Sequence, residues 1–260
     1  MLLTDKVAVI TGGGRGIGRA IARRFAADGA AIAVVARTQK EIDAVANELK
    51  SAGRSAVAIS ADVTRKSGAQ KIVSEARKHF GRIDILVNNA GLLGPVKAAD
   101  EIAPAEWDEV IAANLRGPFL LSRLVLPEMY RRQSGAIINI SSVAAKAAFP
   151  WNAPYAASKA GLLGLTRTLA AEAAKKGVRV NAICPGPVQD TEMLQKLGRG
   201  LGERLQMSSD QMTQQLAQGI LQGRPQTAEE IAEAALFLAS NAASAITGQT
   251  LNVDGGMSFY

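Results

Sequence analysis

Tyr155 and Lys159 are the residues whose types and spacing most directly suggest chemistry. They stand four residues apart in a strongly helical segment, so both side chains lie on one helix face. A phenol has an unperturbed pKa of about 10, and a nearby ammonium lowers that pKa because it stabilises the phenolate. We therefore expect Lys159 to make Tyr155 a usable general acid or base near neutral pH. Packing of a tyrosine ring on a lysine stem is the alternative interpretation.

Ser142 lies thirteen residues before Tyr155, directly after a strand predicted over residues 136–141. In open parallel sheets, ligands bind at the carboxyl ends of the strands. The Ser142 hydroxyl could donate a hydrogen bond to a substrate oxygen and hold it beside Tyr155. Ser141 is the alternative for this role, and helix capping is a further role open to either serine.

A glycine-rich turn joins the first predicted strand to the first predicted helix. Its glycines let a backbone approach a pyrophosphate closely, and the helix N-terminus offers N–H groups to phosphates. The turn therefore predicts dinucleotide binding. Its residues are Thr11, Gly12, Gly13, Gly14, Arg15, Gly16, Ile17 and Gly18.

Arg37 follows the second predicted strand, where an NAD-selective site carries an acidic residue for the ribose 2′-hydroxyl. Arg37 and Arg15 could instead pair with a 2′-phosphate. We therefore predict NADP(H) in preference to NAD(H), with a solvated Arg37 as the alternative. Asp62 and Val63, after the third predicted strand, are candidates for adenine contact, although Asp also commonly caps helices.

The elements that must position these residues alternate between short apolar strands and helical segments. Apolar strands indicate burial on both faces, and repeated strand–helix units imply a doubly wound α/β sheet. We predict one seven-stranded parallel Rossmann-type domain over residues 1–260, because neither a flexible linker nor a repeat divides the chain. Strands are predicted over 7–11, 31–36, 56–60, 83–88, 136–141, 179–184 and 250–253, and helices over 17–28, 39–52, 67–80, 105–131, 155–176 and 228–239.

Residues 187–224 break this alternation and follow the carboxyl end of the sixth predicted strand. We predict two short helices there, near 191–205 and 208–221. An insertion at this place lies over the ligand crevice, so we predict a substrate lid, with a plain surface excursion as the alternative.

Composition excludes several classes of function. The 260 residues carry a net charge of +7, but the basic residues are dispersed and aromatic residues make up 4%, so we predict no nucleic-acid partner. The chain lacks an apolar run long enough to span a membrane and the pattern of a secretion signal. One cysteine and one histidine cannot build an ordinary zinc site. We expect a metal-independent protein of the reducing cytoplasm.

Several motifs, in order from about residue 4 to residue 260, resemble those of the short-chain dehydrogenases/reductases. The glycine turn resembles that family's TGxxxGxG fingerprint, and Tyr155 with Lys159 resembles its YxxxK motif, with Ser142 at the expected spacing. The other matching segments are Asn88-Asn89-Ala90-Gly91, the helix asparagine Asn114, Pro185-Gly186, Thr247-Gly248-Gln249 and Asn252-Val253-Asp254-Gly255-Gly256.

The resemblance implies an oxidoreductase that moves a hydride between a nicotinamide and a ketone or secondary alcohol. It implies that Asn114 holds a water linking Lys159 to bulk solvent, and that Lys159 also binds the nicotinamide ribose. The resemblance places Asn88, Ala90 and Gly91 on the adenosine and ribose side, and Pro185, Gly186 and Val188 at the nicotinamide.

The sequence constrains the substrate less than the cofactor. The residues expected near the substrate are mainly apolar, with Lys146 and Asn152 as polar exceptions. Lys196, Arg199 and Arg204 could attract an anionic group or simply face water. The other residues expected near the substrate are Leu92, Leu93, Ala144, Phe149, Trp151, Gln189, Met193 and Leu194.

The 3-oxoacyl-[acyl-carrier-protein] reductases are a similar subgroup, and Arg131-Arg132 lies where they carry a cation that binds the carrier protein. Ala171 stands at the position of their usual second cation, and the segment 187–224 is longer than theirs. We expect reduction of a small or medium, largely apolar ketone or 3-oxoacyl group, and a carrier-protein partner stays open.

Two other functions remain alternatives at this stage. One is NAD-dependent oxidation of a secondary alcohol, polyol or sugar, and the other is dinucleotide binding without turnover.

The segment 155–176 is rich in alanine and glycine, and the resemblance implies that it pairs with the segment 105–131 across a two-fold axis. We predict a homotetramer, with a dimer as the second choice.

Overall fold

The strands form one parallel sheet in this computed structural model, which describes residues 1–259 apart from the side chains of Ser209 and Thr213. The seven strands lie in the order β3-β2-β1-β4-β5-β6-β7, and every neighbouring pair is parallel. The predicted doubly wound α/β fold is confirmed. The strands are β1 (Val7–Thr11), β2 (Ala31–Ala36), β3 (Ala56–Ser60), β4 (Ile85–Asn88), β5 (Gly135–Ile140), β6 (Val178–Pro185) and β7 (Thr250–Val253).

Helices cover both faces of this sheet because successive strand residues point to opposite faces. In β2, Ile32 and Val34 pack in one apolar core, whereas Ala33 and Val35 pack in the other. Helices α1, α2 and α9 contribute to the first core, and α3, α5 and α6 to the second. The helices are α1 (Gly16–Ala27), α2 (Gln39–Ser51), α3 (Lys66–Phe80), α4 (Pro104–Ile111), α5 (Gly117–Arg132), α6 (Ala153–Ala173), α7 (Glu192–Leu205), α8 (Ser209–Gln218) and α9 (Ala228–Ala239).

The prediction of one continuous helix over residues 105–131 is wrong. A π-helical segment, Ala112–Arg116, separates α4 from α5 and carries Asn114. Pro118, at the start of α5, lacks the N–H group that would continue an α-helical hydrogen-bond ladder. Other boundaries differ by a few residues: β4 begins at Ile85 rather than at residue 83, and α6 begins at Ala153 rather than at residue 155.

The sheet order reverses between β1 and β4, since β1 pairs with β2 on one side and with β4 on the other. Such a switch point opens a crevice at the carboxyl ends of the strands. The segment 187–224 forms α7 and α8 beside this crevice. Its two ends are joined where Gln189 N donates to Gln226 O at 2.9 Å and Gln226 N donates to Pro187 O at 2.9 Å.

No helix in the described part of the chain, residues 1–259, combines the length and the apolar character that a membrane crossing requires.

Gly177 and Gly81 offer a test of how this backbone packs. Gly177 and Gly81 both have left-handed φ angles, of +69° and +79°. A Cβ on Gly177 would lie 2.2 Å from Gln133 O. A Cβ on Gly81 would have no atom of another described residue within 4 Å, apart from its chain neighbours. We expect Gly81→Ala to lower the free energy of unfolding by about 1–2 kcal/mol, from strain alone, and Gly177→Ala by roughly 2–4 kcal/mol. Urea unfolding measures both, and equal losses would contradict the packing described for Gly177.

Candidate active site

A cleft of about 1030 Å³ opens at the carboxyl ends of the strands. The glycine turn and the residues after β2 and β3 line one end of it. The residues after β4, β5 and β6 line its middle, and α7 and α8 line the other end. One continuous cleft therefore brings together the glycine turn, Ser142, Tyr155 and Lys159.

Tyr155 and Lys159 lie in the first two turns of α6 and are 7% and 4% exposed. The Lys159 ammonium lies 5.6 Å from the centroid of the Tyr155 ring and donates a hydrogen bond of 2.7 Å to Ile140 O, at the end of β5. The Tyr155 hydroxyl is directed toward Met193 Sδ of α7, at 3.7 Å. The phenol and the ammonium are therefore neighbours, and the phenol faces the segment 187–224.

The pKa of Tyr155 differs from the sequence-based expectation. Burial raises the pKa of this phenol above its usual value, and the nearby Ser142 hydroxyl acts in the opposite direction without reversing the shift. Burial also lowers the pKa of Lys159 to about 8. Burial therefore outweighs the expected lowering of the Tyr155 pKa in this structure, because desolvation disfavours the phenolate.

Ser142 follows β5 and lines the cleft with Tyr155. Its Oγ accepts a hydrogen bond of 3.1 Å from Ala144 N, so it also caps a short 3-10 helix. The Ser141 hydroxyl donates to Lys159 O at 2.9 Å and ties the end of β5 to α6. The two serines thus differ in role: Ser141 supports the helix, and Ser142 stands beside the phenol.

Asn114 lies in the π-helical segment and does not line the cleft. Its Oδ1 accepts from Leu92 N at 2.7 Å, and its Nδ2 donates to Leu92 O at 2.9 Å and to Ser158 Oγ at 3.0 Å. A Cβ on Gly91 would lie 3.0 Å from Asn114 Oδ1 and 3.4 Å from Lys159 Nζ. Asn114 and Lys159 therefore approach the same glycine, and no side chain separates them there.

The glycine turn forms a cradle at one end of the cleft. Gly12 and Gly16 have left-handed φ angles of +64° and +49°, and a Cβ on Gly12 would lie 2.8 Å from Asn89 Nδ2. Neither a side-chain cap nor a first-turn acidic residue neutralises the N-terminus of α1 within the described residues. The cleft walls there consist of Gly12, Gly14, Arg15, Gly16 and Ile17. This open helix end fits a pyrophosphate.

Gly18 has a different part in that cradle, since it does not line the cleft. A Cβ on Gly18 would lie 2.2 Å from Gly12 O and 2.5 Å from Asn89 Nδ2. Gly18 therefore lets α1 pack directly against the turn. Its role as a cofactor contact stays a prediction, and the structure adds this packing role.

Arg37 lies exposed at the mouth of the cradle, and no described side chain pairs with its guanidinium. Arg15 also lines the cleft and forms a salt bridge with Glu192 at the start of α7. Burial acts to raise the pKa of Asp62, but hydrogen bonds from Thr64 and the charge of Arg37 outweigh it, and the pKa is lowered. Asp62 and Val63 both line the cleft.

Asn88 is placed differently from the prediction. It is buried in the sheet, where its Nδ2 donates to Asn139 Oδ1 at 2.8 Å, and it does not line the cleft. The neighbouring Asn89, which we did not single out, lines the cleft and donates from Nδ2 to Thr11 O at 2.9 Å. Because β4 ends at Asn88, that side chain follows the strand alternation and the next one turns to the cleft.

The profile of the family described as short chain dehydrogenase matches residues 6–202. The chain belongs to this family. It is 38% identical over 254 residues to a 3-oxoacyl-[acyl-carrier-protein] reductase FabG of Staphylococcus epidermidis, covering 97% of this chain and 99% of that protein. It is 40% identical over 255 residues to 2-(S)-hydroxypropyl-CoM dehydrogenase 3 of Xanthobacter autotrophicus, covering 98% and 97%.

Solved structures agree with this assignment. A variant of actinorhodin polyketide ketoreductase, determined with NADPH, superimposes with a TM-score of 0.94 at 35% identity, covering 98% of each chain. The chain is therefore an oxidoreductase of the short chain dehydrogenase family, which binds nicotinamide dinucleotides. The open cradle at α1 fits such a group.

Pro185, Gly186 and Val188 line the cleft between the cradle and α7, and so do Ala90 and Gly91 after β4. The expected apolar wall is also present, and it extends further along α7 and α8 than we expected. The expected wall residues that line the cleft are Leu92, Leu93, Ala144, Phe149, Trp151, Met193 and Leu194, and those not expected include Leu197, Leu201, Leu205, Met212 and Leu216.

Two of the cations considered for substrate or partner binding form salt bridges with described residues. Arg204 forms a salt bridge with Glu101. Arg132 forms a salt bridge with Glu128, and its Nη2 lies 3.4 Å from Asp84 Oδ1. Lys196 does line the cleft. Residues 1–259 contain no cluster of three His, Cys, Asp or Glu residues that could hold a metal ion, and metal independence stays a prediction.

Proposed function

We propose that this short chain dehydrogenase is an NADP(H)-dependent carbonyl reductase in which Tyr155 is the general acid. The observation that carries the proposal is the burial of Tyr155 and Lys159 side by side in the cleft, with Ser142 next to the phenol and the phosphate cradle at the far end. When bound, the nicotinamide supplies or accepts the hydride. The reverse reaction uses the same residues, with Tyr155 as the base.

In this proposal the Ser142 hydroxyl donates a hydrogen bond to the substrate oxygen and holds it beside the Tyr155 hydroxyl. Tyr155 then gives its proton to that oxygen. The Lys159 ammonium, 5.6 Å from the ring centroid, stabilises the phenolate that remains. Proton return follows through Lys159, and Asn114, which approaches the same position at Gly91, supports this path.

The proposed cofactor set combines the cradle, the cation at its mouth and the residues toward the substrate end. Arg37 and Arg15 would hold the 2′-phosphate, and Lys159 would bind the nicotinamide ribose. Because Arg15 pairs with Glu192, Arg37 is the cation free to take the larger share. The other proposed contacts are Gly12, Gly16, Ile17, Asp62, Val63, Ala90, Gly91, Pro185, Gly186 and Val188, all of which line the cleft.

The proposed substrate is a small or medium ketone or a 3-oxoacyl group with an apolar body. The apolar wall along α7 and α8 supports this class, as do relatives named as 3-oxoacyl and polyketide reductases. We propose that the segment 187–224 acts as the substrate lid of a single domain. Arg132 is held by Glu128 and Ala171 is neutral, but Arg131 is exposed, so a carrier-protein partner stays an open alternative.

We further propose a homotetramer in a reducing cytoplasm. Two groups of large apolar side chains are exposed: one on α4 and α5, and one on α9, β7 and the residues after it. Two such faces suit the two interfaces of a tetramer with two-fold symmetry. A single-chain mass in light scattering would contradict this. The residues of these two groups are Trp107, Phe119, Phe237, Leu251 and Phe259, and Met1, Leu2, Met193, Leu205 and Leu221 are exposed elsewhere.

The function is tested by NADPH oxidation with a panel of medium-chain ketones and 3-oxoacyl thioesters, followed by the absorbance of the reduced nicotinamide. We expect turnover that Tyr155→Phe lowers by at least about a thousandfold, since it removes the transferred proton and leaves the ring in place. Background rates across the panel, or a Tyr155→Phe enzyme that retains its kcat, would contradict the proposal.

The cofactor preference is tested by titrating NADPH and NADH fluorescence against the protein and against Arg37→Asp. We expect the wild-type chain to bind NADPH more tightly, and Arg37→Asp to weaken NADPH binding by about tenfold or more, because it replaces a charge-assisted contact with repulsion. Arg54→Asp is the control, because Arg54 stands before β3, at the opposite end of that strand from Asp62, and does not line the cleft. Equal binding of NADH by the wild-type chain would favour NAD-linked oxidation of alcohols, polyols or sugars instead.

A further inference from the structure

Asn152 is a buried amide in the cleft wall whose side chain forms no hydrogen bond with any described residue. It is 5% exposed, and its Oδ1 is fully buried without a partner. The buried Asn114, Asn139 and Asn181 each place their side-chain amides in hydrogen bonds. Asn152 stands directly before α6 but does not cap it with its side chain. Neither helix capping nor core packing accounts for an amide at this position.

The backbone holds this amide in place one turn before Tyr155. Trp151 has a left-handed φ of +62°, which is rare for a bulky residue. Its carbonyl accepts a hydrogen bond of 3.1 Å from Lys97 N, and the Asn152 carbonyl accepts one of 3.0 Å from Ala156 N. Both backbone groups are therefore fixed, while the amide beyond them lies in the same cleft wall as Tyr155.

A buried polar group without a partner destabilises the folded chain unless a ligand or a water completes it. The cleft that Asn152 lines also contains the apolar side chains of Leu93, Phe149 and Leu194. Because Oδ1 is fully buried, Nδ2 is the part of this amide that can face the cleft and donate a hydrogen bond to an oxygen carried by the substrate. No charged group is needed for this contact.

We propose that Asn152 is a specificity-determining residue that binds a second oxygen of the substrate, a hydroxyl or a carbonyl close to the ketone that Tyr155 protonates. The preferred substrates are then hydroxyketones and dicarbonyl compounds with an apolar tail, rather than simple ketones. This inference rests on the proposed reductase function. A site built to bond a polar group discriminates strongly against an analogue that lacks it.

The test compares 2-heptanone with 3-hydroxy-2-heptanone and methyl 3-oxoheptanoate, in the wild-type chain and in Asn152→Leu. We expect the wild-type chain to prefer at least one oxygenated substrate in kcat/KM. Asn152→Leu should lower that preference by about tenfold, mainly through KM, and leave the rate with 2-heptanone nearly unchanged. Gln215→Met is the matched control, because Gln215 is an exposed amide elsewhere in the same cleft, and it should leave the preference unchanged.

Thermal unfolding separates substrate binding from a structural role. Asn152→Leu removes an unpaired polar group, so its melting temperature should equal or exceed that of the wild-type chain. An unchanged preference, or a lower melting temperature with equal losses for all three substrates, would overturn the inference and leave the reductase function standing. If the wild-type chain reduced none of the three and none of the ketones and thioesters of the wider panel, the reductase function would fail. Calorimetric binding of 3-hydroxy-2-heptanone would then decide the role of Asn152. Binding that Asn152→Leu weakens would support this role, and binding that it leaves unchanged would overturn it.

Discussion

The buried ammonium of Lys159 is the constraint around which this fold is arranged. It is 4% exposed and forms no salt bridge within the described residues, and burial lowers its pKa to about 8. A buried charge without an acidic partner is unfavourable, so the position persists only because its surroundings hold it. The hydrogen bond to Ile140 O is its direct support, and it ties the ammonium to the end of β5.

The neighbouring polar network holds α6 where that charge must lie. Ser141 donates to Lys159 O, Asn114 donates to Ser158, and Ser158 donates to Tyr155 O at 2.7 Å. The end of β5, the π-helical segment and the first turns of α6 are therefore joined through side chains rather than through a regular helix contact. The same junction places Tyr155 in the cleft that begins at the glycine turn. Burial of the Lys159 ammonium therefore costs folding stability but holds Tyr155 and Lys159 together at the site.

The sequence predicts the sheet and the residues of the site better than it predicts their environment. The apolar runs of β1 and β2 have the predicted bounds because burial on both faces leaves a clear pattern. The edge strands β3 and β7 also have the predicted bounds, although most of their residues are only partly buried. The π-helical segment was missed because its periodicity differs little from that of a helix. The raised pKa of Tyr155, the exchange of Asn88 for Asn89 and the unpaired amide of Asn152 depend on burial depth and side-chain direction, which spacing does not contain.

The most direct test of this account is the unfolding free energy of Lys159→Met against the wild-type chain as a function of pH. A shift of the Lys159 pKa from 10.5 to about 8 means that the charged ammonium lowers the free energy of unfolding by about 3 kcal/mol. Lys159→Met removes this cost but also removes the hydrogen bond to Ile140 O. We therefore predict that the variant is more stable than the wild-type chain by about 1–3 kcal/mol at neutral pH. Between pH 8 and pH 10.5 the folded wild-type chain loses this proton before the unfolded chain does, so the advantage should shrink. Lys146→Met, which removes a bond to Asn252, should give no such gain. A Lys159→Met variant less stable than wild type, or an advantage independent of pH, would contradict the account.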